Sequence, residues 1–352
     1  MSTTKNIRPS GASTLIRIFI LVVLLLCLSV LDLFFGSVSI PLIDIIKILS
    51  GGETDSPQMV SIVTEFRLPK LATAILAGSA LSVSGLQMQT IFRNPLAGPY
   101  VLGISAGASL GVALVILSLS SVVAFNYVDI LGNWTLVLVA WIGAGIVLLL
   151  IFMVSLRVKD IMTILILGIL LGSATSSIVS ILQYFSDESM LKTYVIWTMG
   201  SLGGVTRTQL SVLAPAIGIG IIMVLASGKM LNALLLGENY AKSLGMNIRN
   251  ARLLVFLSTS ILAGSITAFC GPIGFIGIAV PHISKMIFKT ADHRILIWGC
   301  ILVGSIIMIF SDIISQLPGY QTVLPINSVT ALIGIPIVLY LIIKNQRISF
   351  WA

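Results

Sequence analysis

The sequence predicts an all-α integral membrane protein with about ten transmembrane helices. Of the 352 residues, 57% are hydrophobic and only 9% are charged, and the mean hydropathy is +1.11. A soluble domain carries about 25% charged residues because its surface must stay hydrated. Ten apolar stretches approach or reach the roughly 20 residues needed to cross a bilayer. These observations exclude a soluble enzyme, a disordered chain and a disulfide scaffold.

The predicted helices follow one another along the whole chain. The eighth stretch is short and contains Pro281, so it is the least regular of the ten. The first follows Lys5 and Arg8, as in a signal peptide, but it is long and lacks a small-residue cleavage site, which favours an uncleaved span. The ten stretches are 16–35, 71–91, 101–123, 134–154, 161–182, 209–227, 252–270, 274–288, 295–316 and 325–343.

The distribution of basic residues predicts the orientation. Ten spans place both termini on one side, and with the termini in the cytoplasm 15 Lys and Arg residues lie inside and 5 lie outside. Such an excess of basic residues in cytoplasmic loops is the usual positive-inside bias. The net charge of +8 is therefore explained by membrane orientation, and nucleic acid is not expected as a partner.

Residues 36–70 form a long external loop in this topology. Pro41 precedes apolar residues at helical spacing, which predicts a short surface helix, and 51–57 is typical of a flexible loop. The loop ends in Arg67 and Lys70, where two bases oppose the dipole of the following helix. They indicate either a docking surface for an acidic partner or anchors for lipid headgroups.

Residues 90–109 cannot form a straight membrane helix, because they contain two prolines and three glycines. Irregular backbone at membrane depth is tolerated only where protein or a water-filled cavity covers it. The segment therefore indicates either part of a transport pathway or a site of close helix packing among its small residues.

Residues 228–252 form an internal segment that is too polar to span the membrane. Glu238 suits a helix start, Ala241 and Leu244 are predicted to share one face, and Gly245 suits the helix end. A compact apolar helix of this kind fits the groove of a partner protein.

Several motifs in this order resemble the FecCD family, the permease subunits of iron-siderophore, haem and vitamin B12 ABC importers. The resemblance covers nearly the whole chain. The motifs are Arg67-Leu68-Pro69-Lys70, Gly78-Ser79-Ala80-Leu81, Ser84-Gly85 on to Gln89, Asn94-Pro95-Leu96-Ala97, Leu102-Gly103-Ile104-Ser105, Gly237-Glu238 with Ala241 and Leu244-Gly245, Gly274-Phe275-Ile276-Gly277, Pro281-His282-Ile283 and Asp292-His293-Arg294.

The resemblance implies a type II ABC importer permease fold over 1–352 as a single transmembrane domain. It implies a second permease copy, expected as a homodimer, two ATP-binding subunits inside and a substrate-binding protein outside. In such an importer, Gly237, Glu238, Ala241, Leu244 and Gly245 would form the coupling helix on the ATPase. Arg67 and Lys70 would dock the binding protein, and the translocation pathway would include Asn94, Pro95, Leu96 and Ala97.

The chain departs from the family pattern at four places. The family usually has Arg at the positions of Lys70 and Lys285, and an Arg where Gln316 stands. A lysine retains the charge but loses the bidentate geometry toward a carboxylate. The family's Pro-Ile/Val-Gly-Val is replaced by Pro325-Ile326-Asn327-Ser328, which predicts different local packing.

Several polar residues and cysteines lie in or beside the apolar stretches. Asp32 and Asp312 lie near span ends, which favours satisfied interfacial residues over a proton relay. His282 and His293 are assigned to a span and a loop, so no metal site is expected, and the dispersed cysteines are expected to be packing residues. No P-loop or nucleophile motif occurs, so the chain is expected to be a transport subunit without catalytic residues or cofactors, and its ATP is bound by the partner.

The expected function is transport of an iron-siderophore complex, or of vitamin B12 or haem, across the cytoplasmic membrane, which is the inner or the plasma membrane of the cell. Transport would occur by alternating access driven by a partner ATPase. The alternative is an ion-coupled secondary transporter that works without an ATPase. Such a carrier should place acids or unwound polar segments at mid-span, where this sequence has almost no charge. The residues do not distinguish among the chelates, or between a homodimer and a heterodimer.

Overall fold

The structure is a computed structural model that describes residues 11–36, 38, 40–52, 56–118, 134–155, 157–158, 160–316 and 323–345. Within these ranges the ordered elements are all helices, so the predicted all-α fold is confirmed. The α-helices are α1 (Gly11–Phe34), α2 (Leu42–Leu49), α3 (Pro57–Ser61), α4 (Leu68–Ile91), α5 (Ile104–Ser118), α6 (Trp134–Ser155), α7 (Ile161–Phe185), α8 (Glu188–Thr198), α9 (Arg207–Leu235), α10 (Glu238–Ser243), α11 (Ile248–Cys270), α12 (Ile276–Phe288), α13 (His293–Ser315) and α14 (Ile326–Asn345).

Each predicted span corresponds to a helix. Seven helices are long and apolar enough to cross a membrane: Ala12–Phe34, Pro57–Ile91, Trp134–Ser155, Ile161–Phe185, Arg207–Leu235, Ile248–Cys270 and His293–Ser315. Three shorter apolar helices, at Ile104–Leu117, Ile276–Phe288 and Ile326–Tyr340, match the other three predictions. Residues 119–123 of the third predicted span lie outside the described residues, as do Lys5 and Arg8. The cytoplasmic placement of both termini stays a prediction.

Helix α4 is the centre of the bundle. It packs against α9, α11, α12 and α13, and almost every side chain after its first turn is buried. Its fully buried Gln87 accepts hydrogen bonds from the hydroxyls of Ser258 (3.0 Å) and Thr259 (3.2 Å) and donates one to Ser227 (3.2 Å). Hydrogen bonds between helices stabilise packing in a membrane, where the apolar side chains gain little by leaving lipid. Gln87 therefore ties α4 to α9 and α11.

Two glycine contacts set the position of α4. Gly85 faces the backbone of Gly277 in α12, and Gly78 faces that of Gly304 in α13. A β-carbon on either α4 glycine would overlap a backbone carbonyl of the facing helix. These helices cross closely because neither glycine has a side chain, as in other small-residue crossings in membranes.

The prediction of a long outer loop over residues 36–70 is only partly correct. The short surface helix after Pro41 is confirmed as α2. However, α3 continues through a π-helical segment, Ile62–Arg67, into α4, so one continuous helix runs from Pro57 to Ile91. A π turn changes the hydrogen-bond register, and it occurs just before Pro69, which has no backbone N–H to donate. The sequence predicted a loop here because the stretch contains polar residues and Pro69. In addition, the π turn interrupts the regular spacing of apolar residues that is typical of an α-helix.

The internal segment predicted at 228–252 is also shorter than expected. Helix α9 extends to Leu235 and α11 begins at Ile248, so only 236–247 connects them. The predicted helix end at Gly245 is confirmed, since Gly245 follows α10 with φ of +82°. Asn247 caps α11 by accepting a hydrogen bond from the Asn250 amide (3.2 Å). A left-handed glycine after a helix is a common end signal because glycine has no β-carbon to clash.

Candidate functional site

The short helix α10 rests on the end of the bundle formed by the last turn of α9 and the first turn of α11. Ala241 is fully buried, whereas Leu236, Tyr240 and Leu244 are 66%, 50% and 63% exposed. The prediction that Ala241 and Leu244 share one face is therefore wrong, because Leu244 lies beyond the last residue of α10, where the chain turns. The buried Ala241 side chain packs α10 against its own chain, whereas Tyr240 of α10 and the flanking Leu236 and Leu244 are exposed.

The first turn of α10 is attached to its surroundings by charged side chains. Glu238 Oε1 lies 2.5 Å from Arg252 Nη2 in α11. Gly237 adopts φ of +111°, and the Arg93 guanidinium lies where a β-carbon of Gly237 would make van der Waals contact with it. The predicted coupling residues are therefore adjacent to the end of α4, just before the predicted pathway segment.

Residues 94–97 form a compact turn at this same end of the bundle. Asn94 Oδ1 accepts a hydrogen bond from the Leu96 amide (2.9 Å), and Ala97 is buried. His282 Nε2, in α12, lies 2.8 Å from the Pro95 carbonyl oxygen and donates to it, because a carbonyl only accepts. The predicted pathway segment is thus brought against α12 and near α10.

A polar groove lies elsewhere in the bundle, between α5, α7 and α8. It has a volume of about 700 Å³ and is open on one side. Small residues of the irregular segment 90–109 line it, namely Gly103, Ser105, Ala106 and Ser109, but residues 94–97 do not. Its lining also includes Tyr100, Val101, Gly168, Ile169, Gly172, Ser173, Ser176, Ser177, Val179, Ser180 and Tyr194, none of which is charged.

The serines of α7 are functional candidates that the sequence analysis missed. Ser173, Ser176, Ser177 and Ser180 follow the i, i+3, i+4, i+7 spacing of one helix face, which was visible in an otherwise apolar span. The hydroxyls of Ser177 and Ser180 donate to carbonyls one turn back, both at 3.0 Å. Their oxygen lone pairs remain available to accept hydrogen bonds. A hydroxyl face of this kind is suited to water, a polar cargo or another protein rather than lipid.

The side wall of the groove includes Tyr194 of α8. Burial raises the pKa of the Tyr194 phenol, and a hydrogen bond with the Ser109 side chain partly offsets this. The phenol therefore stays neutral at physiological pH. The groove accordingly presents neutral hydroxyl groups to any molecule inside it.

At the opposite end of the bundle, Arg67 and Lys70 line a cavity of about 640 Å³. The Arg67 guanidinium is buried and donates hydrogen bonds to the carbonyls of Leu33, Phe34 and Val38. A cation at the carboxyl end of α1 is stabilised by the helix dipole. Arg67 is thus engaged by this chain and does not extend as a lipid anchor.

Lys70 is paired with an acid of its own chain. Lys70 Nζ lies 2.8 Å from Asp312 Oδ2. Gln316 Nε2 donates to Asp312 Oδ2 (2.9 Å) and to Asp32 Oδ1 (3.2 Å), so it links α13 to α1. Both buried acids are therefore satisfied residues, as predicted. Gln316, a departure from the family pattern, closes this network.

The histidines and the replaced motif have structural contacts. His293 is buried at the start of α13 rather than lying in a loop, and its Nδ1 donates to Asn232 Oδ1 (2.8 Å). Asn327, which belongs to the segment that differs from the family pattern, accepts a hydrogen bond from the Gly274 amide (2.9 Å). This hydrogen bond fixes the backbone just before α12. Among the described residues, no three His, Cys, Asp or Glu side chains are grouped as metal ligands.

The chain is similar to known permeases over most of its length. A sequence model described as the FecCD transport family matches residues 21–344. The hemin transport system permease protein HmuU of Yersinia pestis is 36% identical over 282 residues, which cover 80% of this chain and 83% of HmuU. The vitamin B12 import system permease protein BtuC of Escherichia coli O9:H4 (strain HS) is 34% identical over 324 residues, covering 92% and 95% of the two chains.

A solved structure agrees with these sequence relatives. It is an inward-facing metal-chelate type ABC transporter, which superposes with a TM-score of 0.79 at 30% identity and covers 93% of this chain and 98% of its own. The ion-coupled alternative is set aside, because the similarity extends over both the sequence and the bundle. The chain therefore belongs to the FecCD transport family and is a multi-pass permease of the ABC importer type in the inner membrane.

Proposed function

We propose that this chain is the permease subunit of an importer for an iron-siderophore complex, driven by the ATP hydrolysis of partner subunits. The observation that carries the proposal is the uncharged, hydroxyl-rich groove between α5, α7 and α8. A pathway must let its cargo leave as easily as it enters, so neutral hydroxyls suit it better than fixed charges. Neither a catalytic residue nor a cofactor is assigned to the chain, and residues 1–352 are taken as one permease domain.

The cargo class follows from the chemistry of the groove wall. Siderophores surround iron with oxygen-rich groups, which can exchange hydrogen bonds with serine and tyrosine hydroxyls. Haem is a largely apolar macrocycle and would gain less from such a wall. Vitamin B12, which the BtuC relative imports by its name, has a polar amide periphery and is the nearest competitor.

We propose that the ATPase binds at α10. Leu236, Tyr240 and Leu244 are exposed beside Glu238, at the end of the bundle that the basic residues place in the cytoplasm. Exposed apolar side chains on a short helix suit a groove in a partner. Gly237, Ala241 and Gly245 would then set the shape and seating of α10, and Leu244 would contact the ATPase directly.

The other two partners are assigned to the outer cavity and the groove. Arg67 and Lys70 line the outer cavity, and acidic side chains of a binding protein would compete with Asp312 for Lys70. The groove is open on one side. A second copy of this chain, related by a two-fold axis, would place its equivalent groove opposite this one, and the two grooves together would enclose a pathway. Asn94, Pro95, Leu96 and Ala97 would lie at the inner end of the resulting pathway.

Substitution of Leu244 by Asp is expected to abolish binding of the ATPase. A carboxylate would be buried without a partner in an apolar interface, which is strongly unfavourable. Affinity purification in mild detergent, followed by mass spectrometry, measures the bound P-loop ATPase. The matched control is Leu49→Asp, an exposed leucine at the end of the surface helix α2, outside the predicted spans. If the native chain purifies without an ATPase, or L244D retains it fully, the assignment of α10 is wrong.

Substitution of Ser176 by Phe is expected to lower transport about tenfold, because the larger side chain would narrow the groove and hinder passage of the cargo. A penalty of about 1.4 kcal/mol on the passage of the cargo corresponds to that factor. The measurement is ATP-dependent accumulation of a ferric hydroxamate, cobalamin and haem in proteoliposomes containing the complete transporter. Ile142→Phe, at an exposed apolar position on α6, is the control. Equal transport by S176F and I142F would contradict the pathway assignment. Preferential accumulation of cobalamin or haem would contradict the siderophore proposal alone.

A further inference from the structure

His293 lies at the same end of the bundle as α10, where the ends of three helices meet. It is the first residue of α13 and is only 1% exposed. Its Nδ1 and its backbone amide nitrogen each lie 2.8 Å from Oδ1 of Asn232, in the last turn of α9. Its Nε2 lies 2.7 Å from the hydroxyl oxygen of Thr90, in the last turn of α4. One imidazole ring therefore bridges the ends of α4 and α9.

The orientation of Asn232 assigns the donors and acceptors of this bridge. Asn232 Nδ2 donates to the Asp292 carboxylate (2.6 Å), which only accepts, so Asn232 Oδ1 is the atom that faces His293. Nδ1 of His293 therefore donates, and in the neutral ring Nε2 accepts from the Thr90 hydroxyl. Both ring nitrogens are satisfied in a buried position, where a polar atom without a partner is costly. The bridge is thus expected to persist while the three helices stay packed.

The two partners of His293 lead directly to the two segments with proposed roles at this end of the bundle. Helix α4 ends one residue after Thr90, and the turn at 94–97 follows it. Helix α9 ends three residues after Asn232, and α10 begins three residues later. Each partner is within one helical turn of the connection that follows it. A displacement of α10 is therefore transmitted to Asn232 over a short, mostly helical distance.

We propose that His293 is a positioning residue for transport: its imidazole ring ties the end of α4, and with it the pathway turn at 94–97, to the end of α9 that carries α10. This inference rests on the proposed function, in which α10 receives the movement of the ATPase and 94–97 lies on the pathway. Coupling between two sites is carried by contiguous hydrogen-bonded and packed groups. Because a buried hydrogen bond is costly to leave unmade, the two helix ends stay joined when either is displaced.

Thr90 allows the bridge to be removed with little change of size. Thr90→Val replaces the hydroxyl by a methyl group, and Thr90→Ser retains the hydroxyl. Thr73→Val is the matched control, since both threonines are buried in α4 and both hydroxyl oxygens lie close to a carbonyl oxygen one turn back, at 2.8 Å for Thr90 and 2.7 Å for Thr73. Thr90 differs in its additional hydrogen bond to His293.

The first test measures the positioning itself in the purified full-length chain. Amide hydrogen exchange of the peptide that contains 94–97 is expected to become several-fold faster in T90V, because a segment with fewer fixed contacts opens more often. T73V and T90S are expected to exchange like the native chain. Native exchange in T90V would overturn the inference, whatever cargo the transporter carries.

The second test measures coupling in the reconstituted transporter. T90V is expected to raise the ATP hydrolysed per ferric hydroxamate transported about tenfold, within the usual range of coupling between sites, and T73V is expected to keep the native ratio. In His293→Asn, the amide can still donate to Asn232 in place of Nδ1, but no atom replaces Nε2. H293N should therefore match T90V, and the double variant T90V/H293N should raise the ratio no further, because both changes remove the same hydrogen bond.

The outcomes distinguish this inference from the proposed function. If the native chain binds no ATPase or transports no chelate, the proposed function fails, and the exchange measurement still decides whether His293 positions the turn. If the native transporter works and T90V has native stoichiometry, or T90S does not restore it, the role of His293 in coupling is overturned. Additive effects of T90V and H293N would likewise overturn it. Should T90V not remain monodisperse, H293N, which keeps the hydrogen bond to α9, provides the same two measurements.

Discussion

Substitution of Gly85 by Val is expected to prevent stable folding of the bundle. The valine β-carbon would overlap the backbone carbonyl of Gly277, which cannot rotate away as a side chain could. Overpacking of a core costs about 1–3 kcal/mol and sometimes more, and a collision with backbone belongs at the upper end. We expect a large loss of monodisperse protein after extraction in detergent, with a lower midpoint of thermal unfolding for the remainder.

The control for this substitution is Gly145→Val in α6. A β-carbon placed on Gly145 meets no atom of a neighbouring helix within 4 Å, so the same change in helix propensity occurs there without a collision. Both variants are compared by size-exclusion chromatography and thermal unfolding in the same detergent. Equal stability of G85V and G145V would show that the contact between α4 and α12 can be opened at little cost.

Substitution of Lys70 by Met is expected to destabilise the outer end of the bundle by about 3–5 kcal/mol, as when one partner of a buried ion pair is removed. Asp312 would remain buried with Gln316 as its nearest donor. The change in the free energy of unfolding is measured by chemical denaturation in mixed micelles. Lys47→Met is the control, because Lys47 is exposed and its distance to Asp44 is 4.0 Å.

The double variant K70M/D312L provides the decisive comparison. Replacement of both members of a buried pair by apolar residues is often neutral, because no charge is left without a partner. We therefore expect the double variant to be more stable than K70M alone. If it is less stable, the pair is not the source of the effect, and the neighbouring Gln316 and Asp32 must depend on Asp312 for their own positions.

The spans could be predicted because each depends on a local property, the length of an apolar stretch compared with the bilayer. The prediction holds even for α12, where Pro281 lies inside the helix. The caps at Asn247 and Gly245 are equally local, since each satisfies backbone groups within one turn. The continuous helix from Pro57 to Ile91 was missed because its π-helical segment contains polar and charged residues and lacks the spacing of apolar residues that is typical of a membrane span.

The candidate sites were predicted less completely, because their residues are brought together by packing. Arg67 and Lys70 were expected as outward-facing bases, but both are engaged by acceptors of α1 and α13 that are remote in the sequence. Ala241 was expected on a partner-facing surface and is instead buried under α10. The groove has walls from α5, α7 and α8, so no single stretch of sequence could show its shape.

Composition, the lengths of the apolar stretches and short motifs were sufficient to predict a helical membrane protein with about ten apolar helices, an internal connecting segment and the motifs of its family. Those properties are encoded in composition, in stretches of about 20 residues and in short-range motifs. Which side chains face a cavity and which are paired within the chain depends on how the helices pack, and this became visible in the three-dimensional structure. In a membrane the apolar residues do not specify partners by hydrophobicity, so close glycine contacts and buried polar pairs determine how the helices assemble.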